Sequence, residues 1–370
     1  MFKQISFFAV GLLFLTSLKA EASWKDVYTE VSSAYVEEIS VEDLAIAALK
    51  GLNRLDSNLV VANDQNYVTL YYHGKVAQAL RKPKDKKDAK AWADLTEKII
   101  QAATEQSTRA SEKDFQIQAR LAESMTSVLD QDSKYYGSYD DAIGLKKRNH
   151  RVFSAVMEGS KLVITIKAFN KQTEEELKKA LSQFHAAEVI IIDLRGCPGG
   201  MSGAAVKAAD LFLREGVIVS TQGKNNTEDV FYTAHATIDD DKRLLFLFID
   251  GQTASAAEIF VSALQEQGRA RVIGTQSKGK GTLQKLISLA EGGVLAVTNS
   301  YFKTPSGKML HHKGVTPDVC TFEQSDSANI EDLLEKKRGA CAQEPRENSL
   351  LEKEVAQFLI DSLLPPIHEK

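Results

Sequence analysis

The sequence predicts an α/β core, with a mostly helical region before it and a helical tail after it. Three observations carry this prediction. Between residues 161 and 274, short apolar runs alternate with amphipathic stretches of helical length. From residue 23 to about 150, apolar residues recur at three-four spacing instead. The last forty residues are rich in charge, and Leu350 to Leu364 reads as a helix packing back on the core.

The elements follow in order. Trp24–Val36, Val41–Leu52, Ala89–Thr104 and Glu112–Leu129 read as helices, and Ser40 with Asp43 marks a helix start. Tyr67–Tyr72 has the composition of a strand, and residues 131–151 form a polar connector. Lys161–Lys167 is a strand, Thr173–Phe184 an amphipathic helix, and Glu188–Leu194 an apolar run suited to a parallel sheet buried on both faces. Ala204–Arg214 and Ala256–Gln267 are helices, and Leu244–Ile249 and Ala270–Gly274 are strands. From Lys285 onward the pattern turns to hairpins: Leu286–Leu289, a turn at Glu291–Gly293, then Val294–Phe302 and a turn at Thr304–Gly307.

Composition narrows the function classes. The chain has 370 residues, 43% hydrophobic and 26% charged, which is ordinary for a globular protein with room for two domains. The net charge of −4 argues against a nucleic-acid partner, which leaves a basic stripe. The basic runs Lys82–Lys87 and Lys146–Arg148 are short or mixed with acids and read as solvated loop faces.

Lys3, the apolar stretch Ile5–Ser17 and the small-x-small site Ala20-Glu-Ala22 read as a secretory signal peptide over residues 1–22. A retained N-terminal anchor is the alternative. No later segment reaches membrane-spanning length, so the mature protein is expected in a periplasm or secreted, without a stable membrane span. Cys320 and Cys341 flank a polar segment and can pair in an oxidising space, closing a loop of about twenty residues worth roughly 3 kcal/mol. Cys197 is then left over, and burial is its expected state.

Chemistry is expected where loops leave the carboxyl ends of strands. Three such loops are Asp193–Gly200, Asp250–Ser255 and Gly274–Gly281. Ser255 and Lys280 stand twenty-five positions apart in two of them. A serine hydroxyl needs a base to take its proton, and a desolvated lysine amine can serve, with no histidine, metal or cofactor. A Pro198-Gly199-Gly200 turn can present free amides as an oxyanion hole, or simply make a tight strand-to-helix turn.

Bland readings compete with these. Ser255-Ala-Ala-Glu258 is a helix capping box. The same position gives a serine the free amides of a helix N-terminus. Gly279-Lys280-Gly281 has the glycine spacing of a phosphate loop, but Gly281 stands where a hydroxyl belongs and a strand follows. Gln284, four residues beyond Lys280, would lie about 13 Å away in an extended strand and within touch in a turn. If they touch, its amide oxygen orients the amine without adding charge.

Five segments occur in order: Asp193-Leu-Arg-Gly-Cys-Pro-Gly-Gly200, Thr253-Ala-Ser-Ala-Ala-Glu-Ile259, Gly279-Lys-Gly-Thr-Leu-Gln284, Tyr301-Phe-Lys-Thr-Pro-Ser-Gly-Lys308 and Lys313-Gly-Val-Thr-Pro-Asp318. Together they resemble the C-terminal processing, or tail-specific, serine peptidases over residues 160 to 320. Asp130-Gln-Asp-Ser-Lys-Tyr-Tyr136 resembles the segment that precedes the PDZ domain in that family. The resemblance implies Ser255 as nucleophile, Lys280 as general base and Gln284 as its support. It implies an oxyanion hole from the amide of Ala256 and that of Gly199 or Gly200. The implied fold is a crotonase-like core, a ββα superhelix.

The family's usual Arg-Asn-Asn-Pro-Gly-Gly appears here as Arg195-Gly-Cys-Pro-Gly-Gly. A larger departure is that about 25 residues separate Tyr136 from Lys161, too few for a PDZ domain. The helical N-terminal region, or a partner such as an adaptor or a second copy of the chain, is then expected to supply specificity.

The expected organisation is a signal peptide at 1–22, a helical region at 23–150, a peptidase core at 151–323 and a helical tail at 324–370. The expected function is a serine endopeptidase acting on envelope proteins or peptides, with activity that rises with pH as the lysine ammonium loses its proton. The alternative is a peptidase-like scaffold that binds peptides or other ligands without cutting. A crotonase-type acyl-CoA enzyme rests on fold analogy alone.

Overall fold

The computed structural model describes residues 23–112, 116–142, 152–224, 230–235, 242–289, 292–321, 341–343 and 350–363. The expected signal peptide at 1–22 lies outside them. The chain divides into two compact units.

The first unit takes the chain up to Glu30, Ser40–Met125 and Ser288–Gly293. Its helices are α1 (Trp24–Ala34, which runs on into the second unit's share), α2 (Val41–Leu49), α3 (Ala89–Gln106), α4 (Thr108–Glu112) and α5 (Ile117–Met125). Ser40 caps α2, its side chain accepting from Asp43 N–H as the sequence predicts. Asp88 caps α3 in the same way from Ala91 N–H. The region is not helical throughout. β1 (Leu59–Asn63), β2 (Tyr67–Tyr72) and β3 (Lys75–Arg81) form an antiparallel three-stranded sheet, and only β2 is foreshadowed in the sequence. β1 buries Leu59 and Val61 and exposes Val60, so five residues give too few alternations to separate from a loop.

The second unit takes Val31–Ile39, Thr126–Ile287 and the chain from Val294. It begins with β4 (Lys134–Tyr136) and α6 (Tyr139–Ala142). β5 (Phe153–Glu158), β6 (Lys161–Ile166), α7 (Thr173–Gln183), β7 (Val189–Asp193), α8 (Ser202–Asp210), β8 (Val217–Gly223) and β9 (Phe231–Thr233) follow. β10 (Leu244–Ile249), α9 (Ala256–Glu266), β11 (Arg271–Gly274), β12 (Thr282–Ser288), β13 (Val294–Lys303), β14 (Val319–Cys320) and α10 (Leu351–Leu363) complete it.

Two sheets result. The larger has the order β14-β11-β10-β7-β6-β5, parallel except for β5 at the edge. The smaller has the order β12-β13-β8-β9, with β4 also pairing to β13. The apolar runs of β7 and β10 are explained by cover on both faces. Ile190, Ile192, Leu245, Leu247 and Ile249 pack with Phe260 and the alanines of α8 on one side. Ile191, Phe246 and Phe248 pack with Leu351, Val355 and Ile360 of α10 on the other. Alternate residues thus serve two cores, and the tail helix supplies the second. β8 and β5 were not foreseen. The second half of β8, Ser220-Thr-Gln-Gly223, is polar and masks its alternation.

Candidate active site

Three loops meet at the carboxyl ends of β7, β10 and β11. Ala254 N–H donates to Cys197 O at 3.0 Å, and Lys278 N–H donates to Thr253 O at 2.9 Å. Beneath them Asp250, fully buried, accepts from Gly196 N–H at 3.0 Å and from Thr253 N–H at 3.1 Å. Thr253 Oγ1 then donates to Leu194 O at 3.0 Å. The loops predicted from sequence are therefore laced to each other directly. Asp250 itself was not foreseen as a hub, because an acid after a strand commonly just opens a turn.

Ser255 is the half-buried N-cap residue of α9, with φ 55° and ψ −120°. Positive φ costs a non-glycine residue about 1–3 kcal/mol, and such strain gathers at functional sites. Of the capping box read from the sequence, the Glu258 half is formed. The Glu258 carboxylate accepts from Ser255 N–H at 2.7 Å, while Glu258 N–H donates to Ser255 O at 2.8 Å.

Glu258 does more than cap. It is fully buried, and its Oε2 also accepts from Lys280 N–H at 2.9 Å. Its Oε1 accepts from Gly279 N–H and from the Ser277 hydroxyl, both at 2.6 Å. One oxygen atom thus binds the amides of both Ser255 and Lys280. Their nitrogens are at most about 5.6 Å apart, the sum of the two bonds. Burial pushes the Glu258 carboxyl above the ordinary range, and its four donors pull it partly back.

Lys280 is half-buried in the irregular stretch between β11 and β12. The glycines beside it have a steric reason. Gly279 has φ 77°, and a Cβ on Gly281 would run into the backbone of His311. Gln284 lies in β12, which begins two residues after Lys280. The Gln284 side-chain amide donates to Asp132 O, which leaves its Oε1 as the remaining acceptor. Thr282, on the same strand face, donates to Asp132 Oδ2 at 2.9 Å. Asp130 in turn accepts from Ser133 N–H at 3.0 Å and from Thr298 Oγ1 at 3.1 Å. The Asp130–Ser133 turn therefore holds the strand that carries Gln284.

The Pro198-Gly199-Gly200 turn stands against the start of α9. A Cβ on Gly199 would lie 2.6 Å from Ala254 O and 2.9 Å from both Ala256 N and Ser255 Cβ. Gly200 packs instead against the backbone of Phe169. Of the two glycines, Gly199 is the one beside Ser255 and Ala256. Ala256 is fully buried at the first helical position, where N–H groups have no intrahelical partner.

Behind the turn, Arg195 is 3% exposed and pairs with Asp193, Nε to Oδ1 at 2.9 Å and Nη2 to Oδ2 at 2.6 Å. Its Nη1 donates to Glu352 Oε2 at 2.9 Å, and Thr321 Oγ1 donates to Glu352 Oε1 at 2.8 Å. The guanidinium lies over the Phe248 ring, 5.3 Å from its centroid. Asp193 could be found by its spacing from Arg195. Glu352 left no local signal, because it reaches Arg195 only when α10 docks. Cys320 and Cys341 form a disulfide, and Cys197 is buried.

Residues 161–321 match the pattern of peptidase family S41. A carboxy-terminal-processing protease of Bartonella bacilliformis is 35% identical over 185 residues, covering 48% of this chain and 42% of that protein. A probable CtpA-like serine protease of Staphylococcus epidermidis is 32% identical over 188 residues, covering 50% of this chain and 38% of that protein. The chain thus spans less than half the length of these curated relatives. Among solved structures, a photosystem II D1 C-terminal processing protease is similar at 22% identity and a TM-score of 0.43, covering 51% of this chain and 53% of that one. The matched stretch holds the three laced loops, Ser255, Lys280 and Gln284, and over residues 161–321 the chain is similar to peptidase family S41.

Proposed function

We propose that the chain is a serine endopeptidase in which Ser255 is the nucleophile, Lys280 the general base and Gln284 its support, on a crotonase-like core. The observation that carries this reading is the single Glu258 oxygen shared by the amides of Ser255 and Lys280. Two segments twenty-five residues apart are held to one atom, and each presents a side chain needed for acyl transfer.

The reaction follows from the parts. Ser255 Oγ forms a bond to the scissile carbonyl carbon as its proton passes to Lys280 Nζ. The carbonyl oxygen takes the negative charge and accepts from Ala256 N–H and the Gly199 amide, donors worth about 3 kcal/mol each. The lysine ammonium then protonates the leaving amine as the C–N bond breaks. Water, losing a proton to Lys280, adds to the acyl-serine carbonyl carbon; the C–Oγ bond then breaks, the lysine ammonium returns its proton to Ser255 Oγ, and the acid is released. Gln284 Oε1 accepts from Lys280 Nζ and aims it at Ser255.

Substrates are unfolded segments or tails of envelope proteins, met outside the cytoplasm. The leader-like pattern at 1–22 and the Cys320–Cys341 disulfide support that location. An adaptor or a second copy of the chain would bring substrates in the place of a PDZ domain.

The test uses the mature protein with an unfolded protein substrate. Wild type is expected to cut it, faster as pH rises, and Ser255→Ala to be inert while folded. Equal inertness of both, toward this and every envelope protein tried, would sink the reading. Tight peptide binding without turnover would favour the non-cleaving scaffold instead.

A further inference from the structure

The segment that carries Lys280, residues 275–281, belongs to no helix or strand, so each of its backbone bonds matters. Its amides go to several parts of the second unit. Thr275 N–H donates to Ile249 O, Ser277 N–H to Val315 O and Lys278 N–H to Thr253 O. Gly279 and Lys280 N–H go to Glu258. Gln276 N–H alone goes to the C-terminal part of the chain, to Ala342 O at 3.1 Å.

Two carbonyls of the same segment face that stretch as well. Gln343 Nε2 donates to Ser277 O at 2.8 Å and to Lys278 O at 3.1 Å. Three bonds therefore tie 276–278 to Ala342 and Gln343. Neither residue lies in a helix or strand, and both are exposed. Next to them, Cys341 is bonded to Cys320 at the end of β14, which pairs in parallel with β11. The residue after Cys320 is Thr321, whose N–H donates to Gly274 O at 2.8 Å. The disulfide thus fixes the tripeptide Cys341–Gln343 to the same sheet edge from which the lysine segment departs.

We propose that Gln343, held in place by the Cys320–Cys341 disulfide, is a positioning residue that braces the Lys280 segment and makes the active site sensitive to dithiol reductants. The proposal rests on the reading of Lys280 as the general base. Gln343 touches neither substrate nor the reacting atoms; it acts on the carbonyls two and three residues before Lys280. Reduction by a dithiol moves two electrons and two protons to the protein. The S–S bond breaks, Cys320 and Cys341 become thiols, and the reductant closes to its own disulfide. Among the described residues, what then holds the tripeptide is its hydrogen bonds, which exposed groups exchange readily with water.

The experiment compares the oxidised protein, the same protein treated with dithiothreitol, the Cys320→Ser/Cys341→Ser variant and Gln343→Ala. Amide hydrogen exchange over 275–281 is read alongside hydrolysis of an unfolded substrate. Exchange at Gln276 is expected to speed up about tenfold without the disulfide. In the same samples kcat is expected to fall about tenfold with KM within about twofold, since the change is in alignment and not in substrate binding. Gln343→Ala is expected to lower kcat in the same way with the disulfide intact, and it keeps the test open if the double variant does not fold. Gln343→Glu, whose carboxylate cannot donate to the two carbonyls, is expected to act like Gln343→Ala, not like wild type.

Unchanged exchange at Gln276 on loss of the disulfide would overturn the proposal, as would unchanged kcat in Gln343→Ala. Faster exchange in a wild type that hydrolyses nothing would overturn the role given to Lys280 while leaving the brace itself in place.

Discussion

The guanidinium of Arg195 meets the carboxylate of Glu352 at 2.9 Å, across 157 residues of sequence and out of contact with water. The pair joins the turn beside Ser255 to the helix that closes the far face of the sheet. Removing one partner leaves a buried charge without its counter-ion, although Asp193 still holds Arg195. Glu352→Ala is expected to cost about 3 kcal/mol in urea unfolding. A loss under 0.5 kcal/mol would show that α10 is held by its apolar face alone.

Glu258 receives four donors and has no acceptor among its partners. In Glu258→Gln one side-chain atom becomes an NH2 group and points its hydrogens at donors. A loss of about 2–3 kcal/mol in stability is expected, from amides left without an acceptor. Hydrolysis is expected to fall at least about a hundredfold, because misplacing reacting groups by an ångström costs about that much. Full activity in this variant would remove the shared-oxygen argument.

Gly199 has φ 99° and lies against Ala254, Ser255 and Ala256. In Gly199→Ala the new methyl meets backbone atoms that have nowhere to retreat. Strain of about 1–3 kcal/mol is expected in addition to the clash. The readout is kcat on an unfolded substrate, expected to drop at least about tenfold with the thermal transition still cooperative. Gly203, where a Cβ would meet open space, is the control for which Ala should change little.

Asp56 in the first unit is 4% exposed and accepts from Asn58 N–H, Asn58 Nδ2 and the Ser107 hydroxyl. Its carboxyl is held below the ordinary range, first by the Asn58 backbone N–H and then by Ser107, against the opposing effect of burial. A depressed acid stabilises the fold above its unfolded pKa, about 3.9. That contribution is lost as pH falls from there through the folded value. Asp56→Asn is expected to lower stability at neutral pH by about 1 kcal/mol. It is also expected to flatten the acid side of the urea-midpoint profile, and an unchanged acid limb would count against this account.

The parallel strands β6, β7, β10 and β11 and the helices between them were legible because their signal is local. β10 was read to the residue, since six consecutive apolar positions bounded by polar ones leave little choice. The three glycine-bearing loops were legible for the same reason: each is a short segment whose turns demand particular residues. β1, β3 and β5 were not, because short strands with a wet face carry few apolar positions, and β8 was not, because its second half is polar though mostly buried.

By itself the sequence determined four of the parallel strands, the helices between them and which loops leave the ends of those strands. Only the tertiary structure decided what holds the loops together. Glu258 looked like a capping residue and proved to bind both the Ser255 and the Lys280 segments. Asp132 lies 152 residues from the Gln284 side chain that donates to it. Glu352 and Gln343 reach the site from the far end of the chain. Spacing along the chain carries the period of a helix or strand, but it carries no record of which distant donor fills a buried acceptor. That is decided when burial removes water and every polar group left inside must find a partner in the fold.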